Sequence, residues 1–290
     1  MELAYYDSHM HLHPFRPEWW AENLIRCMDN NNVRAGAISG AGLFNPDDTN
    51  QLQAIAKKYP GRFLPMLSHI DLNDPGDLER AVALLETGEW AGVGELFLEA
   101  HASTHLAFVR NGETVKLPYP MPRDGARNAV LGGLIRYCNA HAMPVLIHSE
   151  DAAALEALLA LYPESTILWA HCDYVTPLAD VQRIFERYPW LTVDFGPMIR
   201  CGYWDTQNGS SRWLETDRPF WRKLCRDFSD RLLLGSDIIL EKYLEPGRYR
   251  HVYDSYNDFF APLDKGQAER IVAGNFQRVF RTYLRAHPPG

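Results

Sequence analysis

Long hydrophobic runs are absent from this 290-residue chain, and none approaches the roughly 20 apolar residues that a membrane-spanning helix requires. No transmembrane anchor is therefore expected. Cysteine is sparse: Cys27, Cys138, Cys172, Cys201 and Cys225 make an odd, scattered set with no CxxC spacing. That pattern argues against a disulfide framework and suits a reducing compartment. Positive charge is in the minority, with 29 Lys and Arg against 37 Asp and Glu, a net charge of -8. With no Lys/Arg-rich run, a broad nucleic-acid surface is disfavoured, although a small basic cleft is not excluded. Met1-Glu2-Leu3 passes straight into a strand-like run without a basic or apolar leader segment, so a cytoplasmic protein is expected. Internal repeats and low-complexity segments are lacking too.

What is present is a 46% hydrophobic composition with a mean hydropathy of -0.30, which fits one soluble domain over residues 1–290. Short apolar runs near 3–9, 33–40, 62–70, 91–97, 143–148, 165–171, 191–196 and 231–237 read as strands. Amphipathic stretches near 17–30, 47–59, 76–88, 124–141, 150–161, 176–188, 213–228 and 265–285 read as helices. Strands alternating with helices imply βαβ units and a parallel sheet, and eight such units predict a (β/α)8 TIM barrel. Pro17 suits a helix start. Tyr59-Pro60-Gly61, Tyr162-Pro163 and Tyr188-Pro189 end helices just before strands. Three connections, 99–123, 197–212 and 238–252, are too long for plain turns. They are expected as loops over the barrel mouth after strands four, seven and eight.

Six metal-binding side chains close five of the apolar runs: His9 and His11 in YYDSHMH, Glu95 in AGVGEL, His148 in PVLIHS, His171 in ILWAHC and Asp237 in RLLLGSD. The C-terminal ends of barrel strands form the catalytic mouth. His9 and His11 are two residues apart, so a strand turns both to the lumen. Glu95 has two oxygens and can bridge two cations. His148 and His171 are 23 residues apart, one βα repeat, and so belong to neighbouring strands. Gly235-Ser236 lets the Asp237 strand end approach the centre closely. Imidazoles and carboxylates suit two divalent ions, zinc first, with manganese, iron or nickel also fitting. Two such ions, two carboxylates and a bridging hydroxide leave the site about one positive charge, which favours an anionic substrate or a developing oxyanion.

DSHMHLH, LLLGSD and AGNFQRVF (273–280) resemble the amidohydrolase superfamily of metal-dependent barrel hydrolases, over essentially the whole chain. VGEL and PVLIHSEDA are most similar to the TatD-like deoxyribonucleases and related two-metal hydrolases. ILWAHCD and LLLGSD look more like the amidohydrolase-related branch of lactonases, esterases and decarboxylases. The chain has no strand-four lysine of the kind that becomes carbamylated, a role Glu95 takes, and it reads GSD where TatD-like enzymes tend to have ETD. The resemblance, with the ligand geometry, implies one metal on His9, His11 and Asp237, another on His148 and His171, and Glu95 between them. It implies a bridging hydroxide as nucleophile and Asp237 as proton carrier.

Other residues carry weaker expectations. Asp7 shares the parity of His9 and either orients a ligand histidine or fills a buried polar pocket. His13 has the same parity, but Pro14 ends the strand, so an exposed loop position is expected. Cys172 should face away from the lumen. Arg200, Tyr203, Trp204 and Arg212 after strand seven, and Arg248 and Arg250 after strand eight, could clamp an anionic substrate. Trp19 and Trp20, near Phe15 and Arg16, could wall an apolar pocket, or simply pack a helix on the barrel.

The leading reading is a binuclear hydrolase of a small ester, lactone, amide or phosphoester. A TatD-like deoxyribonuclease is disfavoured by the net charge of -8. A mononuclear, non-oxidative decarboxylase is disfavoured provided that Glu95 reaches the metals. A non-catalytic metal-binding scaffold would show a degraded ligand set, and none of the six positions is degraded. The expected partner is a small-molecule substrate, and an acidic surface with exposed aromatics is compatible with a homodimer.

Overall fold

The computed structural model describes residues 3–40, 47–99, 107–110, 113–116, 122–172, 176–196, 217–239 and 241–288. The eight expected runs form β1 (Tyr5–His11), β2 (Val33–Ser39), β3 (Phe63–Leu67), β4 (Gly92–Phe97), β7 (Val145–His148), β8 (Ile167–Trp169), β9 (Thr192–Asp194) and β10 (Leu232–Leu233). They lie in the order β1-β2-β3-β4-β7-β8-β9-β10, and every pairing is parallel. A bridge between Met10 and Ile238 closes the sheet into a (β/α)8 barrel. Between β4 and β7, where a plain loop was expected, β5 (Ala107–Arg110) and β6 (Glu113–Lys116) pair as a separate antiparallel hairpin.

The connecting helices are α1 (Pro17–Asn30), α2 (Asp48–Lys58), α3 (Pro75–Leu85), α4 (Ala129–Ala140), α5 (Ala152–Leu161), α6 (Leu178–Arg187), α7 (Arg218–Asp227) and α8 (Pro246–Phe260). Local chemistry sets their starts. Pro17 and Pro75 occupy first helical positions, and Asp74, Asn128 and Asp151 accept bonds from amides of the first turns of α3, α4 and α5. In α1, Trp20, Ala21, Leu24, Cys27 and Met28 recur at helical spacing and are buried. Each of the larger ones contributes roughly 1.5–3 kcal/mol.

Helix α8 corrects the expectation of a loop over 238–252. A short 3-10 turn (Glu241–Leu244) leads into α8, whose Tyr249, Val252, Tyr253, Tyr256, Phe259 and Phe260 are buried. The chain ends as α9 (Lys265–Glu269), a π turn (Arg270–Gly274), α10 (Asn275–Val279) and α11 (Arg281–Ala286), where one continuous helix was expected.

Two hydrophobic clusters divide the interior. The larger packs helices against the outside of the strands. The smaller fills the lumen with Ala35, Ala37, Leu64, Met66, Leu146, Leu168 and Leu233, and Phe276, Phe280 and Tyr283 from α10 and α11 close it below. The lumen is therefore solid beneath the mouth, as in barrels generally.

The AGNFQRVF segment holds this plug in place. The buried Asn275 amide donates to the carbonyls of Ser229 and Leu232, each at 2.7 Å, and so pins α10 under β10. Replacing it strands two buried acceptors, at about 1–3 kcal/mol each. Asn275→Ala should therefore lose about 3 kcal/mol in urea unfolding; a loss below about 0.5 kcal/mol would show the anchor to be dispensable.

Candidate metal centre

All six expected ligands meet at the C-terminal mouth of the barrel. His9 and His11 point inward from β1, their Nε2 atoms 3.1 Å apart. Glu95 Oε2 lies 3.5 Å from His9 Nε2 and 3.4 Å from His11 Nε2, and Asp237 Oδ1 lies 3.6 and 3.0 Å from the same two atoms. Donors about 2.0–2.2 Å from a tetrahedral ion are roughly 3.3–3.6 Å from one another. These four atoms thus surround a space of the right size for a divalent cation.

The other oxygen of Glu95 serves a second group. Glu95 Oε1 lies 2.8 Å from His148 Nδ1 and 3.3 Å from His171 Nε2, while Asp237 Oδ2 is 4.0 Å from His171 Nε2. His9–His11–Asp237 and Glu95–His148–His171 each bring ligand atoms within 4.8 Å of one another.

Two ligands reach the lumen only because the backbone departs from a regular strand. Val93 faces the outer core, so alternation would send Glu95 outward as well. A register shift between Val93 and Leu96, with Gly94 at φ +127°, turns Glu95 in. A Cβ at Gly94 would lie 2.5 Å from the Leu146 carbonyl oxygen, so only glycine fits. His171 follows the outward-facing Trp169, and its φ of +66° swings it inward, leaving Cys172 buried in the outer core as expected. Asp237 also sits in the left-handed region, at φ +51°. Such backbone conformations persist where the surrounding structure holds them in place.

Carbonyl acceptors orient two of the rings. His11 Nδ1 donates to Gly40 O at 3.1 Å, and His171 Nδ1 donates to Gly196 O. Holding the proton on Nδ1 leaves Nε2 as the ligand. His148 is reversed: Nδ1 faces Glu95, and Nε2 lies 3.7 Å from Glu150 Oε1.

Asp194 was not anticipated from the sequence. It is fully buried on β9, its Oδ1 accepts from the amides of His171 (3.1 Å) and Gly196 (2.9 Å), and its Oδ2 lies 3.3 Å from His9 Nδ1. The available signal was an acidic residue inside the apolar run LTVDFG. It also adds a carboxylate that the expected charge count omitted, so the surplus that would attract an anion shrinks.

Asp7 is fully buried but does not touch a ligand imidazole. Its Oδ1 accepts from the amides of His9 and Ser236, both at 3.0 Å, and its Oδ2 accepts from the Tyr253 hydroxyl at 2.7 Å. Burial raises its carboxyl to about 6 despite these donors. His13, expected to be exposed, is buried with its ring 5.6 Å from Trp20, and burial lowers its pKa. Trp20 packs α1 onto the barrel and donates to the His11 carbonyl at 2.9 Å, while Trp19 is exposed under the Arg16 guanidinium. Arg248 and Arg250 lie on exposed positions of α8 and pair with Glu245 and Asp254. Arg200, Tyr203, Trp204 and Arg212 lie outside the described residues.

The electrostatics of the pocket favour cations. Burial alone would lower His9 and His11, but neighbouring carboxylates outweigh it. Asp194, Glu95 and Asp237 hold His9 well above the ordinary histidine range, and Asp237 and Glu95 push His11 up to about 9. Burial opposes ionisation of Glu95 and Asp237 too, yet the imidazoles keep both below their usual values. A divalent ion can take the place of these protons, and the donor set of imidazoles and carboxylates fits one.

No family model matches the sequence, and no curated protein is similar enough to match. Solved structures do match along nearly the whole chain. A probable 2-pyrone-4,6-dicarboxylic acid hydrolase from Acinetobacter baumannii, with citric acid bound, is 14% identical, with a TM-score of 0.65 over 96% of this chain and 100% of that one. A TatD homologue from Escherichia coli is 15% identical, with a TM-score of 0.65 over 97% and 99%. A 2,6-dihydroxybenzoate decarboxylase, in complex with 2,6-dihydroxybenzoate, is 12% identical, with a TM-score of 0.61 over 96% and 99%. What the chain shares with these three structures is the fold of the barrel.

Folding raises His11 from 6.5 to about 9, so the folded chain keeps a proton that the unfolded chain releases. That stability is complete below pH 6.5 and disappears as pH rises through about 9. Chelated protein should therefore melt at progressively lower temperature across this window, and added zinc should restore the melting temperature at its upper end. A melting temperature that climbs with pH in chelated protein would contradict this electrostatic picture.

Proposed function

We propose that this chain is a metal-dependent hydrolase of the amidohydrolase superfamily, using two divalent ions to cleave a small ester, lactone, amide or phosphoester. The observation that carries the reading is the division of Glu95: Oε2 faces His9, His11 and Asp237, whereas Oε1 faces His148 and His171. A carboxylate shared in this way suits two cations. Zinc fits the donors first, and manganese, iron or nickel also suit them.

Bound ions would supply Lewis-acid polarisation of a substrate oxygen and bring the pKa of water towards neutrality. The chain's own residues do the rest. Asp237 has the most open side chain of the six, at 12% exposure against 0–6% for the others, and so faces the incoming substrate. Its carboxylate sits within reach of both donor groups, which suits it to carry a proton from water to the leaving group. The buried histidines exclude bulk water and keep their lone pairs aimed inward. Arg200, Tyr203, Arg212 and Arg248 remain proposed substrate contacts.

No described helix is long and apolar enough to cross a membrane. Cys27, Cys138, Cys172 and Cys225 are buried, and the cytoplasm is the proposed compartment. We further propose a small-molecule substrate and a homodimer as the working assembly.

Elemental analysis should find about two ions per wild-type chain and one or fewer in Glu95→Ala. One ion in both proteins would sink the two-metal reading and favour a mononuclear decarboxylase. Asp237→Asn should keep measurable metal and lower kcat about 10²- to 10⁴-fold on whichever ester, lactone or phosphoester is turned over. Undiminished kcat would reduce Asp237 to a ligand. Cleavage of DNA in preference to all small substrates would favour the TatD-like alternative.

A further inference from the structure

Each inward-facing histidine of the β1 and β8 strand ends needs a partner behind it. His11 and His171 are backed by backbone carbonyls, but His9 is backed by a carboxylate. His9 Nε2 faces His11, Glu95 and Asp237, so ligation through that atom requires the ring proton on Nδ1, which lies 3.3 Å from Asp194 Oδ2; neither of these two buried atoms has another partner among the described residues. The same carboxylate holds the amides of His171 and Gly196 through Oδ1. Those bonds brace the left-handed turn at His171, a conformation unfavourable for a residue with a side chain.

The neighbouring backbone is shaped around this carboxylate. A Cβ on Gly235 would stand 3.0 Å from Asp194 Oδ1 and 3.1 Å from His9 Cβ. A Cβ on Gly196 would stand 3.0 Å from the Asp237 amide nitrogen. Asp194 therefore touches β1 through a side chain, β8 through the backbone and β10 through close packing.

Resting on the metal-centre reading above, we propose that Asp194 is a positioning residue that sets the tautomer of His9 and the backbone of His171 together. It couples the two halves of the centre from behind, without contacting an ion. Oδ2 approaches His9 at Nδ1, whereas His11, Glu95 and Asp237 face Nε2, and His171 also brings a nitrogen within 4.8 Å of the His9 and Asp194 atoms.

Asp194→Asn tests this at nearly constant volume. With its carbonyl towards the His171 and Gly196 amides, the new amide group would donate to His9 Nδ1 and force the ring proton onto Nε2, the ligating atom. Flipped, it would set donors against two backbone N–H groups. In either orientation the variant should bind zinc about 10- to 100-fold more weakly in chelator competition, while keeping the wild-type circular dichroism. A packing role alone would leave zinc affinity unchanged in the folded variant.

Equal affinity in the two proteins would overturn the role of Asp194 and leave the centre standing. A wild type that binds no zinc would overturn both. Should the variant fail to fold, zinc-loaded wild type decides the matter. Its proton spectrum should show a downfield, exchange-protected His9 Nδ1–H signal, assigned by its loss in His9→Gln, and absence of that signal would refute the proposal.

Discussion

At the seam between β10 and β1 the strands share no continuous ladder, and a buried carboxylate supplies the attachment that a ladder provides elsewhere. Asp7 gathers the His9 amide from one strand and the Ser236 amide from the other onto a single oxygen. Around it, the Asp237 amide reaches the His9 carbonyl at 2.7 Å, and the Ser8 amide reaches Leu234 O at 2.9 Å. The first and last candidate ligands, His9 and Asp237, are thereby fixed next to each other by main-chain bonds before their side chains are considered. A buried polar group is tolerable only when it is hydrogen-bonded, and Asp7 has three donors. One of them comes from α8, where burial holds the Tyr253 phenol well above its usual pKa and so keeps it a donor. Tyr256, one turn on, donates to the carbonyls of Phe195 and Gly235 at 2.8 and 2.7 Å. The helix after the last strand is in this sense part of the scaffold of the mouth.

Above that seam the work is divided between charge and orientation. Glu95 and Asp237 face the imidazoles directly, whereas Asp194, Gly40 O and Gly196 O stand behind the rings. On the proposed reading, the first group would determine how strongly a cation is drawn in, and the second which nitrogen meets it. Low polarity around the site makes both effects larger than they would be in water.

Much of this was legible in the sequence, and the reasons for the rest are specific. Each of the eight strands left a short apolar run, and the six candidate ligands stood at the ends of such runs because that is where a barrel opens. Alternation of faces would nonetheless have turned Glu95 and His171 outward; the irregular backbone at Gly94 and His171 has no clear one-dimensional signature. Asp194 was overlooked because a lone acid within an apolar strand can equally be a solvated edge. Helix α8 had a readable pattern, with aromatic residues at 249, 253, 256 and 260 behind Pro246. Tyrosine and phenylalanine are modest helix formers, so the sequence over 238–252 reads as a long loop. Pro14 favours an exposed His13, yet its ring is buried 5.6 Å from that of Trp20.

The packed floor of the barrel has a consequence for traffic. With Phe276, Phe280 and Tyr283 sealing the lumen under the apolar layer, nothing can pass through the molecule from one end to the other. On the proposed reading, substrate and water enter by the opening through which products depart. Each turnover would then be a visit to a cul-de-sac, and a product that lingers there would block the next arrival.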